Sequence, residues 1–479
     1  MRLPLISRFA PLLLLAAPSP RATAQAPVAR PPAGALRGTR DSTGVLHFRG
    51  IPYAAPPVGS RRWRAPAPPA RWRGVRPAAA LGRNCMQWQP YDDIDPYAAG
   101  VSEDCLYLNV ATAGLAGAPR PVMVWIHGGG FFAGFGGEAR HDPAPLAQKG
   151  AVVVTLNYRL GAFGFLAHPA FADANVGLQD QIAALRWVRA NIGAFGGDPR
   201  RVTVFGESAG AMSVGALMAS PMARGLFHRA VLQSGTGAGV VARRDSAEAL
   251  GTRLAAALGV TGAGPDAAAR LRALPADTVL AAARAAGGGP RFWPNRDGRV
   301  VPRPVDSAAA LGRLAPVPVL VGSNADESPE VFGAPARAFA RLVSARGRPA
   351  YLYQFTRAGE DSAARARGAY HSAEITFVFG RARPLRPEAG RAAYDSSLAE
   401  TMSDYWVAFA TTGDPNGPLP VRRAGAAVRP RWPRYDVRTD SSLGLGAEVA
   451  ARVAVRRALF DSLDAVARTR GQVRPSLGP

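Results

Sequence analysis

The chain alternates short apolar runs with longer stretches rich in helix-forming residues. Five of the runs carry many β-branched and aromatic side chains: PVMVWI, RVTVFG, AVLQSG, VPVLVG and AYLYQF. Continuous apolar runs of this length are typical of strands that are buried on both faces of a parallel sheet. Because such runs alternate with helical segments, the sequence predicts an α/β fold with a mostly parallel central sheet flanked by helices.

One of these runs leads directly into FGESAG, which places Ser208 between Gly206 and Gly210. The pattern alone does not identify a nucleophile, because glycine and serine are common in ordinary turns. Here a predicted strand precedes it, and the helix-forming sequence AGAMSVGALMAS follows it, with Pro221 after its end. A turn between a strand and a helix holds a serine hydroxyl clear of the backbone, so we interpret Ser208 as a nucleophile.

A serine nucleophile needs a general base, usually a histidine oriented by a carboxylate. Where the serine lies on such a turn, the acid and then the histidine follow it along the chain. Of six histidines, only His228 and His371 follow Ser208, and His228 is too close for an acid-bearing strand to intervene. His371, which comes after the run AYLYQF, is therefore the predicted base.

The acid should follow a strand that lies between the serine and the histidine. The sequence VPVLVGSNADES provides such a strand and carries Asp326 and Glu327 side by side. The residues alone leave both carboxylates open.

A glycine-rich loop follows the run PVMVWI, where His127 is followed by Gly128, Gly129 and Gly130. Consecutive glycines allow backbone N–H groups to point at one oxygen, and each such donor stabilises a transition-state oxyanion by roughly 2.7–4 kcal/mol. We interpret His127 as structural, since it precedes the serine.

Many further motifs occur in an order that resembles the type B carboxylesterases, the cholinesterase-like branch of the α/β-hydrolases. The similarity covers the chain from about residue 35 to about residue 436 and rests on these motifs: FRGIPYAAPPVGSRRWRAP, SEDCLYLNV, WIHGGGFFAG, LNYRLGAFGFL, GLQDQIAALRWVRANIGAFGGDPRRVTVFGESAG, AVLQSG, GAYHSAEITFVFG and DYWVAFATTGDPN.

The resemblance implies the α/β-hydrolase fold and a serine carboxylesterase that works through an acyl-enzyme without a metal or other cofactor. It assigns the site residues as follows: nucleophile Ser208, acid Glu327, base His371, oxyanion-hole N–H groups of Gly129, Gly130 and Ala209, and auxiliary acid Glu207. It also implies a disulfide between Cys85 and Cys105, and buried ion pairs between Arg159 and Asp180 and between Arg62 and Glu103.

Two alternatives stay open at this point: a non-catalytic, adhesion-type relative, and the same chemistry on amides or lactones.

Ser328 stands where the family usually has a glycine after the acid, and only 44 positions separate Glu327 from His371. That interval has room for little more than one helix, PARAFARLVSARG, with Ala338, Phe339, Leu342 and Val343 as its apolar stripe.

The N-terminal residues have the character of an export signal, with Arg2 and Arg8, a short apolar centre and Ala-x-Ala at 22–24. We expect residues 1–24 to be a cleaved signal peptide, 25–35 a Pro/Ala-rich tail, and 36–470 a single α/β-hydrolase catalytic domain. The mature protein is expected to be secreted or periplasmic, without a stable membrane anchor.

The chain is strongly basic, with a net charge of +24. Nearly all basic residues are arginine, with Lys149 as the one lysine, and alanine, glycine and proline are also abundant. This composition favours a solvated basic surface over a nucleic-acid partner, because no sustained basic tract or nucleic-acid motif is present. The expected partner is a small-molecule ester, and the sequence does not indicate an oligomeric state.

Overall fold

A computed structural model gives the fold and describes residues 26–89, 99–287, 292–359, 362–381, 396–421 and 428–469. The strands in these ranges are β1 Val28–Ala29, β2 Ala35–Arg37, β3 Thr39–Arg40, β4 Leu46–Pro52, β5 Val75–Pro77, β6 Asn84–Cys85, β7 Val101–Ser102, β8 Tyr107–Thr112, β9 Arg120–Ile126, β10 Val152–Leu156, β11 Gly197–Glu207, β12 Arg229–Gln233, β13 Val319–Asn324, β14 Ala350–Phe355, β15 Ser441–Leu445 and β16 Val449–Val453.

The α-helices in the same ranges vary from a single turn to five turns. They are α1 Ala144–Gln148, α2 Gly161–Phe165, α3 Val176–Asn191, α4 Ala209–Ala219, α5 Arg244–Ala257, α6 Pro265–Ala273, α7 Ala276–Gly287, α8 Val305–Ala310, α9 Ala334–Ala345, α10 Ser362–Arg367, α11 Ile375–Val378, α12 Ser396–Thr412 and α13 Arg457–Thr469.

The main sheet has eleven strands in the order β16-β15-β14-β13-β12-β11-β9-β10-β8-β4-β3. Neighbouring strands are parallel from β10 through to β15. The strands β8, β4 and β3 at one edge, and β16 at the other, are antiparallel to their neighbours. The predicted mostly parallel sheet is confirmed, and the five apolar runs form β9, β11, β12, β13 and β14.

Two apolar cores cover the two faces of the sheet. In β9, Val122 and Val124 belong to the core that also contains residues of α3 and α4. Their neighbours Met123 and Trp125 belong to the opposite core, which contains residues of α12. Because side chains alternate across a strand, burial on both faces requires a continuous apolar run, as the sequence has here.

The carboxyl ends of β9, β11 and β13 lead into the three segments singled out in the sequence. Since these strands are parallel, those ends meet at one edge of the sheet. The glycine-rich loop after β9, Ser208 after β11 and Glu327 after β13 are thereby brought to the same edge.

The interval between Glu327 and His371 contains the predicted helix as α9, and this helix packs against β13 and β14. Phe339, Leu342 and Val343 are buried as predicted, whereas Ala338 is partly exposed. The sequence did not indicate that Arg337 is also buried, with only 1% of its surface exposed.

Arg337 is buried because three carboxylates surround its guanidinium group. Its Nη1 lies 3.2 Å from an oxygen of Asp440, and its Nη2 contacts Asp461 and Asp464. Asp461 and Asp464 belong to α13, so the cluster fastens the C-terminal helix to α9. The Phe460 ring of α13 also packs against Gly333, six residues after Glu327.

The structure corrects the assignment of residues 25–35 to a tail. Val28 and Ala29 form β1, which pairs with β2, and Ala29 is buried. Pairing with β2 and burial of Ala29 attach this segment to the domain. Residues 1–24, the predicted signal peptide, lie outside the described residues.

Candidate active site

Ser208 lies on a sharp turn between β11 and α4. Its backbone has φ 54° and ψ −123°, a conformation that L residues rarely adopt. A Cβ atom on Gly210 would lie 2.0 Å from the Ile126 carbonyl oxygen, and one on Gly206 would lie 2.6 Å from the same oxygen. Glycine at both positions is therefore required for the strand and helix to approach closely enough to make this turn.

The side chains of Ser208, His371 and Glu327 form a hydrogen-bonded series. His371 Nε2 lies 2.9 Å from Ser208 Oγ, and His371 Nδ1 lies 2.6 Å from Glu327 Oε2. The second oxygen of Glu327 accepts a hydrogen bond from the Asn324 backbone N–H at 2.7 Å. The Glu327 side chain is buried, while that of His371 is 36% exposed. The structure thus brings together the three residues singled out by sequence and resemblance.

The neighbouring carboxylate points elsewhere. Asp326 Oδ2 accepts a hydrogen bond from the Ala369 backbone N–H at 2.7 Å. The histidines set aside in the sequence also have other partners. His228, just before β12, accepts at Nδ1 from the backbone N–H of Val202 in β11, and buried His127 stacks on Tyr158 with ring centroids 4.4 Å apart.

The glycine-rich loop runs directly beside the serine. A Cβ atom on Gly128 would lie 3.3 Å from Ser208 Cβ, and one on Gly129 would lie 2.2 Å from the Ala133 carbonyl oxygen. Gly129 and Gly130 have φ values of 93° and 62°. Within the described residues, the N–H groups of Gly129, Gly130 and Ala209 donate no hydrogen bond, so they are available to an oxygen atom bound at this turn.

Two further buried carboxylates lie near the imidazole of His371. Glu207 Oε1 lies 3.2 Å from His371 Nε2 and accepts a hydrogen bond from Ser372 Oγ at 2.6 Å. Glu374, which the sequence analysis missed, accepts hydrogen bonds from Gln233 Nε2 at 3.1 Å and Asn324 Nδ2 at 2.7 Å. The only signal for Glu374 in the sequence is its position three residues after His371. Whether its side chain points toward the imidazole depends on the fold.

These carboxylates change the proton affinities of the whole group. Burial raises the pKa of Glu207. Burial, together with the charges of Glu207 and Glu327, raises the pKa of Glu374 to about 7. Burial alone would lower the pKa of His371, but the charge of Glu207 and the hydrogen bond and charge of Glu327 outweigh it and raise the pKa to about 9. The carboxylates around the imidazole therefore favour its protonated form.

Aromatic side chains border the serine and the glycine-rich loop. The Phe332 ring stacks on His371 with centroids 4.5 Å apart, and Trp88 stacks on Phe132 at 5.4 Å. Trp293 lies 6.3 Å from Phe131. Phe332 restricts the imidazole to one plane, and the other rings provide apolar surface close to the loop.

The predicted covalent and ionic contacts near the site are present. Cys85 and Cys105 form a disulfide. Arg159 makes two hydrogen bonds to Asp180, at 2.8 and 2.7 Å, and both side chains are buried.

The second predicted ion pair joins Arg62 to Glu103, with an Nε–Oε1 distance of 2.6 Å; Arg62 is buried, whereas Glu103 is partly exposed. No group of three His, Cys, Asp or Glu side chains suited to a metal ion was found among the described residues.

Comparison with known proteins identifies the family. The model of the carboxylesterase family matches residues 25–331 and 328–460. The para-nitrobenzyl esterase of Bacillus subtilis is 36% identical over 480 residues, which cover 87% of this chain and 94% of that protein. The fumonisin B1 esterase of Sphingopyxis macrogoltabida is 37% identical over 476 residues, which cover 85% of this chain and 84% of that protein.

Solved structures give the same result. A structure of PNB esterase superposes with a TM-score of 0.79 at 33% sequence identity, covering 91% of this chain and 99% of that one. A Geobacillus stearothermophilus carboxylesterase superposes with a TM-score of 0.77 at 32% identity, covering 91% of this chain and 99% of that one. The chain therefore belongs to the carboxylesterase family and is a carboxylic ester hydrolase with the α/β-hydrolase fold.

Proposed function

We propose that the enzyme hydrolyses carboxylic esters of small molecules through an acyl-enzyme formed on Ser208. The observation that carries this proposal is the hydrogen-bonded series from Ser208 Oγ through His371 to Glu327. A serine hydroxyl on a strained turn, paired with an imidazole whose other nitrogen is held by a carboxylate, is the arrangement that activates a serine for attack on a carbonyl carbon.

In the first half of the proposed cycle, His371 Nε2 removes the Ser208 proton as the oxygen attacks the ester carbonyl. Glu327 keeps the remaining imidazole proton on Nδ1 and stabilises the imidazolium. The negative charge that develops on the carbonyl oxygen is bound by the unpaired N–H groups of Gly129, Gly130 and Ala209.

In the second half, His371 returns its proton to the leaving alcohol, which leaves the acyl group on Ser208. The same imidazole then takes a proton from a water molecule, which attacks the acyl carbon. As the second tetrahedral intermediate collapses, His371 gives this proton to Ser208 Oγ, which releases the carboxylic acid and restores the free enzyme. The cycle requires no metal or other cofactor.

Glu207 is proposed as an auxiliary acid. Its carboxylate is close to His371 Nε2, where the imidazole carries the transferred proton. An ionised Glu207 would favour the imidazolium and so stabilise the intermediate, but it would also leave more of the resting histidine protonated.

The proposed substrates are small-molecule esters, including esters that carry aromatic groups. The relatives that support this proposal are named for para-nitrobenzyl esters and fumonisin B1. A phenmedipham hydrolase of Pseudarthrobacter oxydans is 47% identical over 218 residues, which cover 43% of each chain. Action on amides or lactones is the second candidate, and a panel of matched esters and amides on the purified enzyme distinguishes the two.

Export of the enzyme is also proposed, with residues 1–24 removed and residues 36–470, together with β1, acting as one catalytic domain. The disulfide supports this proposal, because such bonds persist in oxidising compartments. N-terminal sequencing of the mature protein should begin after Ala24. A mature chain that begins at Met1 would contradict it.

The proposed function is tested by turnover of a nitrophenyl ester. Ser208→Ala should lower kcat by about 10⁶-fold, and His371→Ala should have a nearly equal effect, because the residues of such a site act as a unit. Ser246→Ala, at an exposed serine of α5, is the matched control and should leave turnover unchanged. Substantial turnover by folded Ser208→Ala would refute the mechanism.

A further inference from the structure

The positive charge of the molecule is concentrated in its N-terminal segment. Residues 26–89 contain eleven arginines and one acidic residue, Asp41, so they carry ten of the 24 net charges of the whole chain. A general compositional preference for arginine would spread the charge evenly along the sequence. Nine of the eleven arginines are exposed.

The one acidic residue of the segment does not neutralise these arginines. Asp41 Oδ2 lies 2.8 Å from His47 Nε2, and its Oδ1 accepts hydrogen bonds from the N–H and hydroxyl of Thr43. Arg62, which is buried, is neutralised separately by Glu103. Within the described residues, the nine exposed arginines of the segment form no ion pair, and they give it a positive surface.

Five of these arginines gather on a small three-stranded sheet, in the order β1-β2-β5, which is separate from the main sheet. We call four of them the N-terminal arginine face: Arg30, Arg37, Arg71 and Arg73; the fifth is Arg76. Arg37 is opposite Val28 of β1 and Pro77 of β5, whereas Arg76 is opposite the buried Leu36 of β2 and so starts from the other side of the sheet. Arg71 and Arg73 flank Trp72.

Exposed apolar residues lie between the arginines. Val28, Val75 and Pro77 share the outer side of this sheet with Arg37, because paired residues and alternate residues of a strand lie on one side. All three residues of β5 are exposed. Trp72 is half-buried and fixed there, since its Nε1 donates to the Ala35 carbonyl oxygen at 2.8 Å and Arg76 lies over its ring.

We propose that the N-terminal arginine face docks on the surface of a bilayer that contains anionic phospholipids. The arginines match the negative headgroups, and the valine and proline side chains reach the boundary below them, a combination typical of surface-binding segments. Nucleic acid is the less suitable partner. The tryptophan beside this face is already covered by Arg76, so the face offers no free ring on which a base can stack.

This association is peripheral. No helix in the described part of the chain has the length and apolar character needed to cross a bilayer. Binding should therefore depend on anionic lipid and weaken with salt, because charges on an exposed face are screened by mobile ions.

The experiment measures co-sedimentation of the full-length purified enzyme with phosphatidylcholine vesicles that contain or lack phosphatidylglycerol, at low and high NaCl concentrations. The variant is Arg37→Gln, Arg71→Gln, Arg73→Gln, because within the described residues these three guanidinium groups make no ion pair. The matched control carries the same loss of charge at exposed positions elsewhere: Arg224→Gln, Arg253→Gln, Arg313→Gln. We call this triple glutamine substitution the patch variant. A third variant replaces the same three arginines of the N-terminal arginine face with lysine.

We expect the wild-type enzyme to bind only the anionic vesicles and to be released by NaCl. The patch variant should lose about 100-fold in partitioning. The control and the lysine variant should bind nearly as well as wild type, and all four proteins should hydrolyse esters equally.

Three outcomes would overturn the proposal. One is a failure of the wild-type enzyme to bind anionic vesicles. Another is an equal loss in the patch and control variants, which would assign the binding to total charge. The last is patch-dependent binding of duplex DNA or RNA without vesicle binding, which would assign the face to nucleic acid. Because ester turnover is measured separately, failure here is distinct from failure of the proposed catalytic mechanism.

Discussion

Asp326 and Glu327 are adjacent in the sequence but have different partners in the fold. The backbone turn after β13 directs Glu327 to His371 and Asp326 to the Ala369 N–H. We predict that Glu327→Gln lowers kcat by about 10⁴-fold, because an amide cannot hold the reactive imidazole tautomer in the same way. Asp326→Asn, the matched control, should cost far less in the same nitrophenyl ester assay. The reverse order would assign the acid to Asp326.

The carboxylates around His371 predict an unusual pH dependence. An imidazole with a pKa of about 9 remains protonated at neutral pH, and a protonated imidazole cannot accept the Ser208 proton. The acidic limb of the kcat/KM profile should therefore lie above the ordinary histidine value of about 6.5. Activity is lost as the pH falls through this limb.

The Glu207 charge is a major source of this shift, so Glu207→Gln should move the acidic limb to lower pH. Asp326→Asn keeps the carboxylates next to the imidazole and should leave the limb in place. The measurement is kcat/KM across pH for the three proteins. An acidic limb at the same pH in Glu207→Gln and wild type would show that Glu207 does not raise the pKa of His371.

At the scale of elements, the turn between β11 and α4 requires glycine, which has no side chain, at positions 206 and 210. We predict that Gly210→Ala destabilises the protein by about 3 kcal/mol or more, because its Cβ atom would overlap the Ile126 carbonyl oxygen, which belongs to the backbone of a central strand. Gly193→Ala is the control: no other atom lies within 4 Å of its added Cβ. Thermal or denaturant unfolding compares the two, and equal stabilities would contradict the packing derived for the turn.

The strands and the serine turn could be predicted because short-range patterns determine them. An apolar run such as PVMVWI must be buried on both faces, and Gly206 and Gly210 mark a close approach of backbones. The order along the chain then selects His371. These inferences need no knowledge of the distant partners of each residue.

Other features depend on directions that only the folded chain determines. The choice of Glu327 over Asp326 came from resemblance, because two adjacent carboxylates are chemically equivalent in sequence. Glu374 was missed because its burial depends on hydrogen bonds from Gln233 and Asn324, which belong to two strands far from it in the sequence. Arg337 is buried because Asp440, Asp461 and Asp464 reach it from more than one hundred residues away.

At the scale of the whole molecule, the short interval between Glu327 and His371 affects substrate choice. Its main helix, α9, packs on β13 and β14 and is not available to cover Ser208. We predict that kcat/KM for nitrophenyl esters changes less than about tenfold over short to medium acyl chains, whereas a closed pocket discriminates about 10–200-fold per methylene.

The leaving group is kept constant in this series, so that only the acyl portion varies. Branched acyl groups should be accepted as well. A steep optimum at one chain length, with branched esters rejected, would indicate a closed pocket. Trp293 beside Phe131 would then be the first residue to examine.

The central claim is that Ser208 is the residue that becomes acylated, and covalent labelling tests it most directly. An organophosphonate ester reacts with an activated serine, and intact mass followed by peptide mapping locates the adduct. We expect one adduct per chain, on the peptide that contains Ser208, and none in Ser208→Ala. An adduct on another residue, or no adduct in folded wild-type enzyme, would contradict the account.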